Sequence, residues 1–204
     1  MDVSFRSGNE TLHATLYGDF SSAFHAGVVL CPPHPLYGGN RHDTRIVRVA
    51  QELAEHDLLA LCIDYGSYGR GLREVQHVMD AVAFLREKGF SSLGLLGYSF
   101  GSVVASNAAA ASAEIDGFAS MSILRQVNGL IAKLDSDCPK LFVHGRRDEI
   151  ASYADFERLF AQAKGVKQKL VLDTDHFYMD NYPSVINAAA ETIRRFFEVS
   201  LKKR

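Results

Sequence analysis

The chain begins with segments in which apolar and polar residues alternate, and then changes to continuous apolar runs. Residues 3–8 and 12–16 alternate on either side of the turn signal Gly8-Asn9, which predicts two short antiparallel strands. From residue 28 onward the apolar runs are uninterrupted, as is typical of strands that are covered on both faces. Strands of this second kind are predicted at residues 28–31, 58–63, 93–96, 117–121, 140–144 and 169–172.

Between these runs, apolar residues recur three and four positions apart, which indicates amphipathic helices. The predicted helices cover residues 41–56, 75–85, 99–111, 124–134, 152–163 and 186–197. This alternation of strands and helices predicts a three-layer α/β/α sandwich. Its centre is expected to be a mostly parallel, doubly wound sheet of about eight strands with an antiparallel N-terminal hairpin.

The length of 204 residues favours one domain, and residues 1–204 are predicted to form it. No cap domain is expected, because only about 20 residues separate the predicted strands near positions 117 and 141. The basic tail at residues 202–204 is expected to be a solvated end.

The composition is that of an ordinary globular protein, with 47% hydrophobic and 23% charged residues. The formal net charge of -2 argues against nucleic acid or an anionic membrane as the main partner, since both favour a basic surface. No apolar run is long enough to span a membrane, and the N-terminus lacks the pattern of a signal peptide. The 3 cysteines are an odd number and show no close paired spacing. We therefore expect a cytoplasmic protein with reduced thiols.

Neither a metal ion nor an organic cofactor is expected. No ordered cluster of His, Cys and carboxylate residues has the spacing of a metal site. The Gly-rich segment at residues 65–71 matches neither common phosphate-binding loop, so we interpret it as a turn that lines the pocket. The expected partner is a small ester-like molecule, and the sequence does not predict the oligomeric state.

A doubly wound sheet binds ligands beyond the carboxyl ends of its strands, and a G-x-S-x-G motif occurs there. The motif occupies residues 97–101, at the end of a predicted strand and the start of a predicted helix. A sharp turn of this kind lifts the central hydroxyl clear of the backbone, and the small residues on both sides let strand and helix approach closely. Ser99 is therefore the candidate nucleophile. The alternative is an ordinary Gly-rich turn in which Ser99 caps the helix.

A serine hydroxyl needs a base, and that base needs a carboxylate to orient it. His176 follows the last predicted strand and is the candidate base. Asp148 follows the strand predicted at 140–144 and is the candidate acid. Asp135 or Asp137 is the alternative, if the acid follows the strand before that one.

Acyl transfer also requires N–H donors for the negative oxygen that forms in the tetrahedral intermediate. The amide that follows the nucleophile, that of Phe100, is the first candidate. The loop after the first parallel strand should supply the second, and the three prolines in it cannot donate. Leu36 has the first free amide after these prolines and is the second candidate, with Tyr37 in reserve.

Aromatic and apolar residues near the ends of the predicted strands are expected to form an open cleft around these groups. The candidate substrate-binding residues are Tyr37, Tyr65, Ile123 and Phe177. Such a cleft suits an acyl or aryl group of modest size. We interpret His34 and His144 as structural or supporting groups, and Arg146-Arg147 either binds an anionic group of the substrate or faces water.

The motif and the chain order Ser99, Asp148, His176 resemble the α/β-hydrolase superfamily, and the resemblance extends over essentially the whole chain. Residues 33–39, Pro-His-Pro-Leu-Tyr-Gly-Gly, resemble the H-P-x-x-G-G loop of small capless bacterial members. Those members are similar to dienelactone hydrolases and to serine aminopeptidase-like proteins. The segment at 175–177, Asp-His-Phe, is similar to their D-H-F segment.

This resemblance implies a role for each matching residue. It implies Ser99 as nucleophile, His176 as base, Asp148 as acid, and the amides of Leu36 and Phe100 as oxyanion donors. Dienelactone hydrolases proper have a cysteine nucleophile, so their lactone specificity does not carry over to a chain with serine at position 99.

Together these features predict a serine hydrolase that cleaves a small or medium carboxylic ester, or a thioester, through an acyl-serine intermediate. Two alternatives stay open at this point. An amidase or peptidase would use the same triad, and a non-catalytic binding protein could share the fold, because a fold alone does not determine a function.

Overall fold

The computed structural model describes residues 1–20 and 25–201, so the basic tail at 202–204 lies outside the described residues. The described strands are β1 (Asp2–Ser7), β2 (Glu10–Tyr17), β3 (Ala26–Cys31), β4 (Leu59–Ile63), β5 (Ser92–Tyr98), β6 (Gly117–Met121), β7 (Gln126–Val127), β8 (Leu130–Ile131), β9 (Lys140–Gly145) and β10 (Lys167–Leu172). The described helices are α1 (Thr44–Ala54), α2 (Leu72–Glu87), α3 (Phe100–Ala111), α4 (Tyr153–Gln162) and α5 (Ser184–Leu201).

An eight-stranded sheet forms the centre of the fold, in the order β1-β2-β4-β3-β5-β6-β9-β10. β1 pairs antiparallel with β2, and β2 pairs antiparallel with β4. From β4 to β10 every neighbouring pair is parallel. The predicted mostly parallel sheet with an antiparallel N-terminal hairpin is confirmed. Because parallel strands end at the same edge, the loops after β3, β5, β9 and β10 meet there.

Apolar cores cover both faces of this sheet, which explains why its central strands are apolar at consecutive positions. Helices α1 and α5 pack on one face, through residues such as Leu53 and Ile193. Helices α2, α3 and α4 pack on the other face, through residues such as Val78, Val104 and Phe156. Strands β3 and β5 are buried along their whole length. The predicted α/β/α sandwich is confirmed.

Residues 124–134 do not form the predicted helix. They contain the short antiparallel hairpin β7–β8, in which Gln126 pairs with Ile131. Asn128 and Gly129 have φ angles of 48° and 88°, the left-handed backbone that a two-residue hairpin turn of this type requires. The turn preference of the Asn-Gly pair therefore overrides the helical spacing of the apolar residues around it.

The other strands and helices agree with the sequence prediction to within a few residues at each end. Local capping accounts for some of the differences. Helix α1 begins at Thr44 rather than at residue 41, because the Asp43 carboxylate accepts the N–H of Arg45 at 3.0 Å.

The cysteines Cys31, Cys62 and Cys138 are free and buried. Cys31 and Cys62 lie in the apolar runs of the sequence, whereas the residues around Cys138 are mostly polar. Burial raises the pKa of the Cys31 and Cys62 thiols, so neither thiol ionises readily. Within residues 1–20 and 25–201, no helix has both the length and the apolar character needed to cross a bilayer.

Candidate active site

Ser99 lies in a sharp turn between β5 and α3, at the carboxyl edge of the sheet. Its backbone has φ 54° and ψ -117°, a conformation that residues with side chains rarely adopt. A Cβ on Gly97 would lie 2.3 Å from the carbonyl oxygen of Gly101. A Cβ on Gly101 would lie 2.2 Å from the carbonyl oxygen of Cys31. Both glycines of the motif are thus required by backbone contact between strand and helix.

We expect Gly101→Ala to lower the free energy of unfolding by about 2 kcal/mol or more. The added methyl group would collide with the backbone oxygens of Cys31 and Pro32, at the end of the central strand β3. Gly8→Ala is the control for backbone strain without a collision, since its φ is +54°, unlike the helical Gly101, and a Cβ there would meet nothing within 4 Å. Urea unfolding of both variants measures the difference, and equal losses of stability would contradict the steric explanation.

The structure brings Ser99, His176 and Asp148 into one hydrogen-bonded row. Oγ of Ser99 lies 3.0 Å from Nε2 of His176, and Nδ1 of His176 lies 2.8 Å from Oδ2 of Asp148. All three are buried, with exposed fractions of 8% for Ser99 and 5% for each of the others. Because Nδ1 faces a carboxylate, it carries the imidazole proton, and Nε2 is left to accept the serine hydroxyl.

The carboxylate of Asp148 is held by two backbone amides in addition to His176. Its Oδ1 accepts the N–H of Ile150 at 3.0 Å and the N–H of Ala151 at 2.7 Å. Burial by itself raises the pKa of this carboxyl group, but the hydrogen bonds from His176 and Ala151 outweigh burial and hold the pKa below its usual value. Asp148 is therefore an anion at neutral pH.

The alternative acids Asp135 and Asp137 lie elsewhere. Both line a separate cavity next to Cys138 and the last residues of α3. The carboxylate that bonds to His176 is thus that of Asp148, after β9, and not that of Asp135 or Asp137.

The loops that follow β9 and β10 touch each other through their backbones. A Cβ on Gly145 would lie 2.5 Å from the carbonyl oxygen of Thr174 and 2.6 Å from that of Asp175. The N–H of Arg147 donates to the Thr174 carbonyl oxygen at 3.0 Å. This contact fixes the separation between the loop that carries the acid and the loop that carries the imidazole.

A second buried imidazole, that of His144, supports the Asp148 loop from within β9. Its Nε2 donates to the carbonyl oxygen of Ala151 at 2.8 Å, and its ring stacks on Phe156 at a centroid separation of 4.3 Å. Nε2 also lies 4.0 Å from Oδ2 of Asp148, whereas Nδ1 has no hydrogen-bond partner in the described part of the chain. Desolvation lowers the pKa of His144, although the nearby Asp148 carboxylate acts in the opposite direction.

The lowered pKa of His144 makes stability depend on pH. The unfolded chain protonates this imidazole more readily, so the free energy of unfolding should fall as the pH drops below the ordinary value of 6.5 towards the lower folded pKa. His144→Phe, which retains an aromatic ring on Phe156, should weaken this dependence, whereas His13→Phe at an exposed position of β2 should not. Urea unfolding at about pH 7.5 and about pH 5.5 tests this. Equal pH sensitivity in all three proteins would disprove the role of His144.

The amides predicted to stabilise an oxyanion differ in their surroundings. Phe100 is the first residue of α3, and the first N–H groups of a helix have no acceptor within the helix. The N–H of Leu36, in contrast, donates to Nδ1 of His34 at 3.2 Å, and the N–H of Tyr37 donates to the His34 carbonyl oxygen at 3.0 Å. A role for Leu36 therefore stays a prediction. It requires this N–H to break its hydrogen bond to Nδ1 of His34 and to donate to the substrate oxygen instead.

A cleft of about 350 Å³ opens beside Ser99 and His176. The predicted pocket residues Tyr37 and Phe177 both line it, and both side chains are exposed to solvent. Further lining residues come from the loop after β3, from the start of α1, from the end of β5 and from the loop after β9. They include His34, Asp43, Arg45, Tyr98 and Ile150.

Two of the predicted pocket residues do not line this cleft. Ile123 is buried with 1% of its surface exposed, and it belongs to the apolar core on the face of the sheet that α2, α3 and α4 cover. Tyr65 packs its ring against Phe100 at a centroid separation of 5.7 Å, and its hydroxyl donates to the Pro32 carbonyl oxygen at 3.3 Å. Tyr65 therefore supports the loop that follows β3 and does not line the cleft.

The Arg146-Arg147 pair also lies outside the cleft beside Ser99. The guanidinium of Arg146 lies over the ring of Tyr153, 5.3 Å from its centroid. Nε of Arg147 lies 3.1 Å from Asp173, and Nη2 lies 3.2 Å from Asp180. Arg147 lines a neighbouring cavity of about 460 Å³ that also reaches His176.

The Gly-rich segment at 65–71 binds a carboxylate of its own chain. The N–H groups of Gly69 and Gly71 each donate to Glu74 at 2.8 Å, so these amides are not available to a phosphate group. Across residues 1–20 and 25–201, no group of three or more His, Cys, Asp and Glu side chains is placed to hold a metal ion.

No protein-family model matches the chain, and no curated protein matches it in sequence. Solved structures match it over almost the whole chain. An α-β serine hydrolase homologue from Coxiella burnetii has a TM-score of 0.85 at 19% identity, covering 96% of this chain and 96% of that chain. Dienelactone hydrolase from Anabaena variabilis has a TM-score of 0.80 at 21% identity, covering 98% of this chain and 97% of that chain. Est1E from Butyrivibrio proteoclasticus, with ferulic acid bound, has a TM-score of 0.82 at 15% identity, covering 97% and 98%.

This chain has the α/β-hydrolase fold. In the α/β-hydrolase fold, the triad residues follow the chain order nucleophile, acid, histidine, and the nucleophile stands on a strained strand-to-helix turn. Ser99, Asp148 and His176 have this order and Ser99 has this turn.

Arg45 lies in the cleft wall of this α/β-hydrolase fold and was not among the residues predicted for the site. The available signal was Asp43, a capping residue two positions ahead of an arginine in the first turn of a predicted helix. Capped helices with a charged first turn are common, so this pattern alone gives no reason to place Arg45 at a site.

Proposed function

We propose that this protein is a serine hydrolase that cleaves a small or medium carboxylic ester through an acyl intermediate on Ser99. The observation that carries the proposal is the row of hydrogen bonds from Ser99 through His176 to Asp148, with separations of 3.0 and 2.8 Å. The serine hydrolase homologue and the dienelactone hydrolase among its structural neighbours support the same class of chemistry.

Acylation begins when Nε2 of His176 takes the hydroxyl proton of Ser99 as Oγ attacks the ester carbonyl carbon. Asp148 stabilises the imidazolium that forms, because it is already ionised and is held by two backbone amides. Nε2 then gives the proton to the alcohol oxygen as the carbon–oxygen bond breaks. The alcohol leaves, and the acyl group stays on Ser99.

Deacylation repeats these steps with water as the nucleophile. His176 takes a proton from the water molecule as the water oxygen attacks the acyl carbon. It then returns that proton to Oγ of Ser99 as the bond between Oγ and the acyl carbon breaks, which releases the carboxylic acid. One ester and one water give one carboxylic acid and one alcohol, and the triad returns to its starting protonation.

The carbonyl oxygen becomes negative in both halves of the reaction, and the N–H groups of Phe100 and Leu36 are the proposed donors to it. The Leu36 N–H bonds to the neutral ring of His34 when no substrate is bound. A negative oxygen is a stronger acceptor than a neutral imidazole nitrogen, so the exchange becomes favourable as charge develops.

The proposal is tested with matched p-nitrophenyl esters and p-nitroanilides of acyl groups from two to eight carbons, together with a fluorophosphonate probe. We expect the esters to be hydrolysed faster than the anilides and the probe to modify Ser99. Faster cleavage of the anilides would instead support an amidase or peptidase. Hydrolysis of neither substrate, together with no reaction of Ser99 with the probe, would contradict the proposal and support a non-catalytic binding protein.

A further inference from the structure

The cleft beside Ser99 has a charged end that the proposed ester hydrolysis does not use. Asp43 and Arg45, at the start of α1, are the only Asp, Glu, Lys or Arg residues among the described residues that line it. The remainder of its wall is apolar, aromatic or neutral. A substrate group that lies against this wall therefore meets one ion pair.

Contacts on several sides hold the guanidinium of Arg45 in place. Its Nε donates to Oδ1 of Asp43 at 2.9 Å, and its Nη2 donates to Oδ2 of the same carboxylate. Its planar group lies 4.8 Å from the ring centroid of Tyr98 and 5.8 Å from that of Phe177. Its orientation is thus fixed before substrate binds, which reduces the entropy lost on binding.

Part of this guanidinium is still free to bind a ligand. Arginine has five N–H donors, and Asp43 accepts from Nε and Nη2. Within residues 1–20 and 25–201 the side-chain hydrogen bonds of Arg45 come from Nε and Nη2 and not from Nη1, and the Asp175 carboxylate acts on the guanidinium only through its charge. The side chain of Arg45 is 21% exposed, against 7% for that of Asp43, so the positive end of the ion pair is the end more open to the cleft.

The acyl part of an ester is the part that this cleft would hold. The cleft contains Ser99, to which the acyl group becomes attached, together with His34 of the loop that carries the proposed oxyanion donor. The neighbouring cavity reaches His176, which protonates the leaving alcohol, but it is not lined by Ser99. That cavity is lined by three carboxylates against the one guanidinium of Arg147, and this excess of negative charge disfavours an anionic group there: Glu149, Asp175 and Asp180.

We propose that Arg45 binds a carboxylate on the acyl part of the substrate, so that the preferred substrates are half-esters of short dicarboxylic acids. This inference rests on the proposed serine hydrolase activity and names the substrate class of the same site. A charge-assisted hydrogen bond to the guanidinium recognises the free carboxylate, while Tyr37, Ile150 and Phe177 contact the methylene chain between the two carbonyl groups.

The experiment uses the monoethyl esters of succinic, glutaric and adipic acid. Each is compared with the same ethyl ester in which the free carboxylic acid is replaced by a primary amide, which has a similar shape and no charge. Hydrolysis is followed in a pH-stat. For at least one chain length, we expect kcat/KM of the wild type to be about ten-fold higher or more for the acid than for the amide. Arg45→Gln should lower this acid-to-amide ratio by about ten-fold, mainly through KM of the acid.

The matched control is Arg48→Gln, one turn further along α1. Arg48 bonds to Asn187 at 2.7 Å and to Glu52 at 2.8 Å, and it does not line the cleft. This variant has the same change in net charge as Arg45→Gln and should keep the wild-type ratio. Arg45→Lys keeps the charge without the planar fork, and its ratio should fall between those of the wild type and Arg45→Gln.

A second measurement decides the question if ethyl esters react too slowly for kinetics. The half-esters should slow fluorophosphonate labelling of Ser99 at lower concentration than the amides do, and Arg45→Gln should remove the difference. A wild type that reacts with the probe but shows no preference for the acids, by rate or by protection, would overturn the role of Arg45 and leave the hydrolase proposal intact. If Ser99 does not react with the probe at all, the proposed function fails, and this inference fails with it.

Discussion

Ser99→Ala should lower kcat/KM for ester hydrolysis by roughly 10⁴- to 10⁶-fold while the protein stays folded. The substitution removes the oxygen that attacks the carbonyl, and no other hydroxyl is hydrogen-bonded to Nε2 of His176 among the described residues. His176 keeps its bond to Asp148, so the imidazole should stay in place. Initial rates, intact-mass detection of the fluorophosphonate adduct and urea unfolding together measure the effect.

Ser106→Ala is the matched control, on helix α3, which follows Ser99. Ser106 is also buried, and its hydroxyl donates to the Val103 carbonyl oxygen at 2.8 Å, away from the cleft. This variant should keep both activity and labelling. If Ser99→Ala still reacted with the probe at the wild-type rate, another residue would be the nucleophile.

Asp148→Asn should lower kcat by about 10⁴-fold with little change in the fold. The amide oxygen of asparagine can still accept the N–H groups of Ile150 and Ala151, which Oδ1 of Asp148 accepts now. Its NH₂ group then faces Nδ1 of His176 and can only donate to it. Nδ1 must become the unprotonated nitrogen, and Nε2 carries the proton and no longer accepts one from Ser99.

Glu149→Gln removes a carboxylate from the adjacent position and is the control for general charge effects. Glu149 is exposed and lines the neighbouring cavity without contacting the triad row. Its kcat should stay within about two-fold of the wild type, as for most exposed substitutions. Loss of activity in Glu149→Gln but not in Asp148→Asn would mean that the acid has been assigned to the wrong residue.

Most of the fold could be predicted because its determinants are local in the sequence. Strands buried on both faces must be apolar at consecutive positions, and β3 and β5 show this directly. The turn at Ser99 is only partly local, since Gly97 contacts Gly101 and Ser102 just after it, whereas Gly101 contacts Cys31 and Pro32 much earlier in the chain. The helix predicted at 124–134 was wrong because a two-residue turn signal competes there with an apolar spacing that also fits a helix.

The walls of the cleft were harder to predict than the hydrogen-bonded row of Ser99, His176 and Asp148, for a physical reason. Strand ends fix where Ser99, Asp148 and His176 emerge, so their meeting follows from topology. The direction of a side chain such as Ile123 depends on packing with distant residues, and it points into the core. The hydrogen bond from the Leu36 N–H to Nδ1 of His34 likewise depends on the orientation of the His34 ring, which the spacing of residues along the chain does not specify.

The close contact at Gly145 has a consequence for protein engineering. Any larger residue there would push the two loops apart and separate the His176 imidazole from the Asp148 carboxylate, even though Gly145 lines neither the cleft nor the neighbouring cavity. Mutagenesis libraries that seek new substrate ranges therefore have freedom at the solvent-facing rim, where Tyr37 is 88% and Ile150 is 55% exposed. The loop junction behind that rim tolerates no such variation.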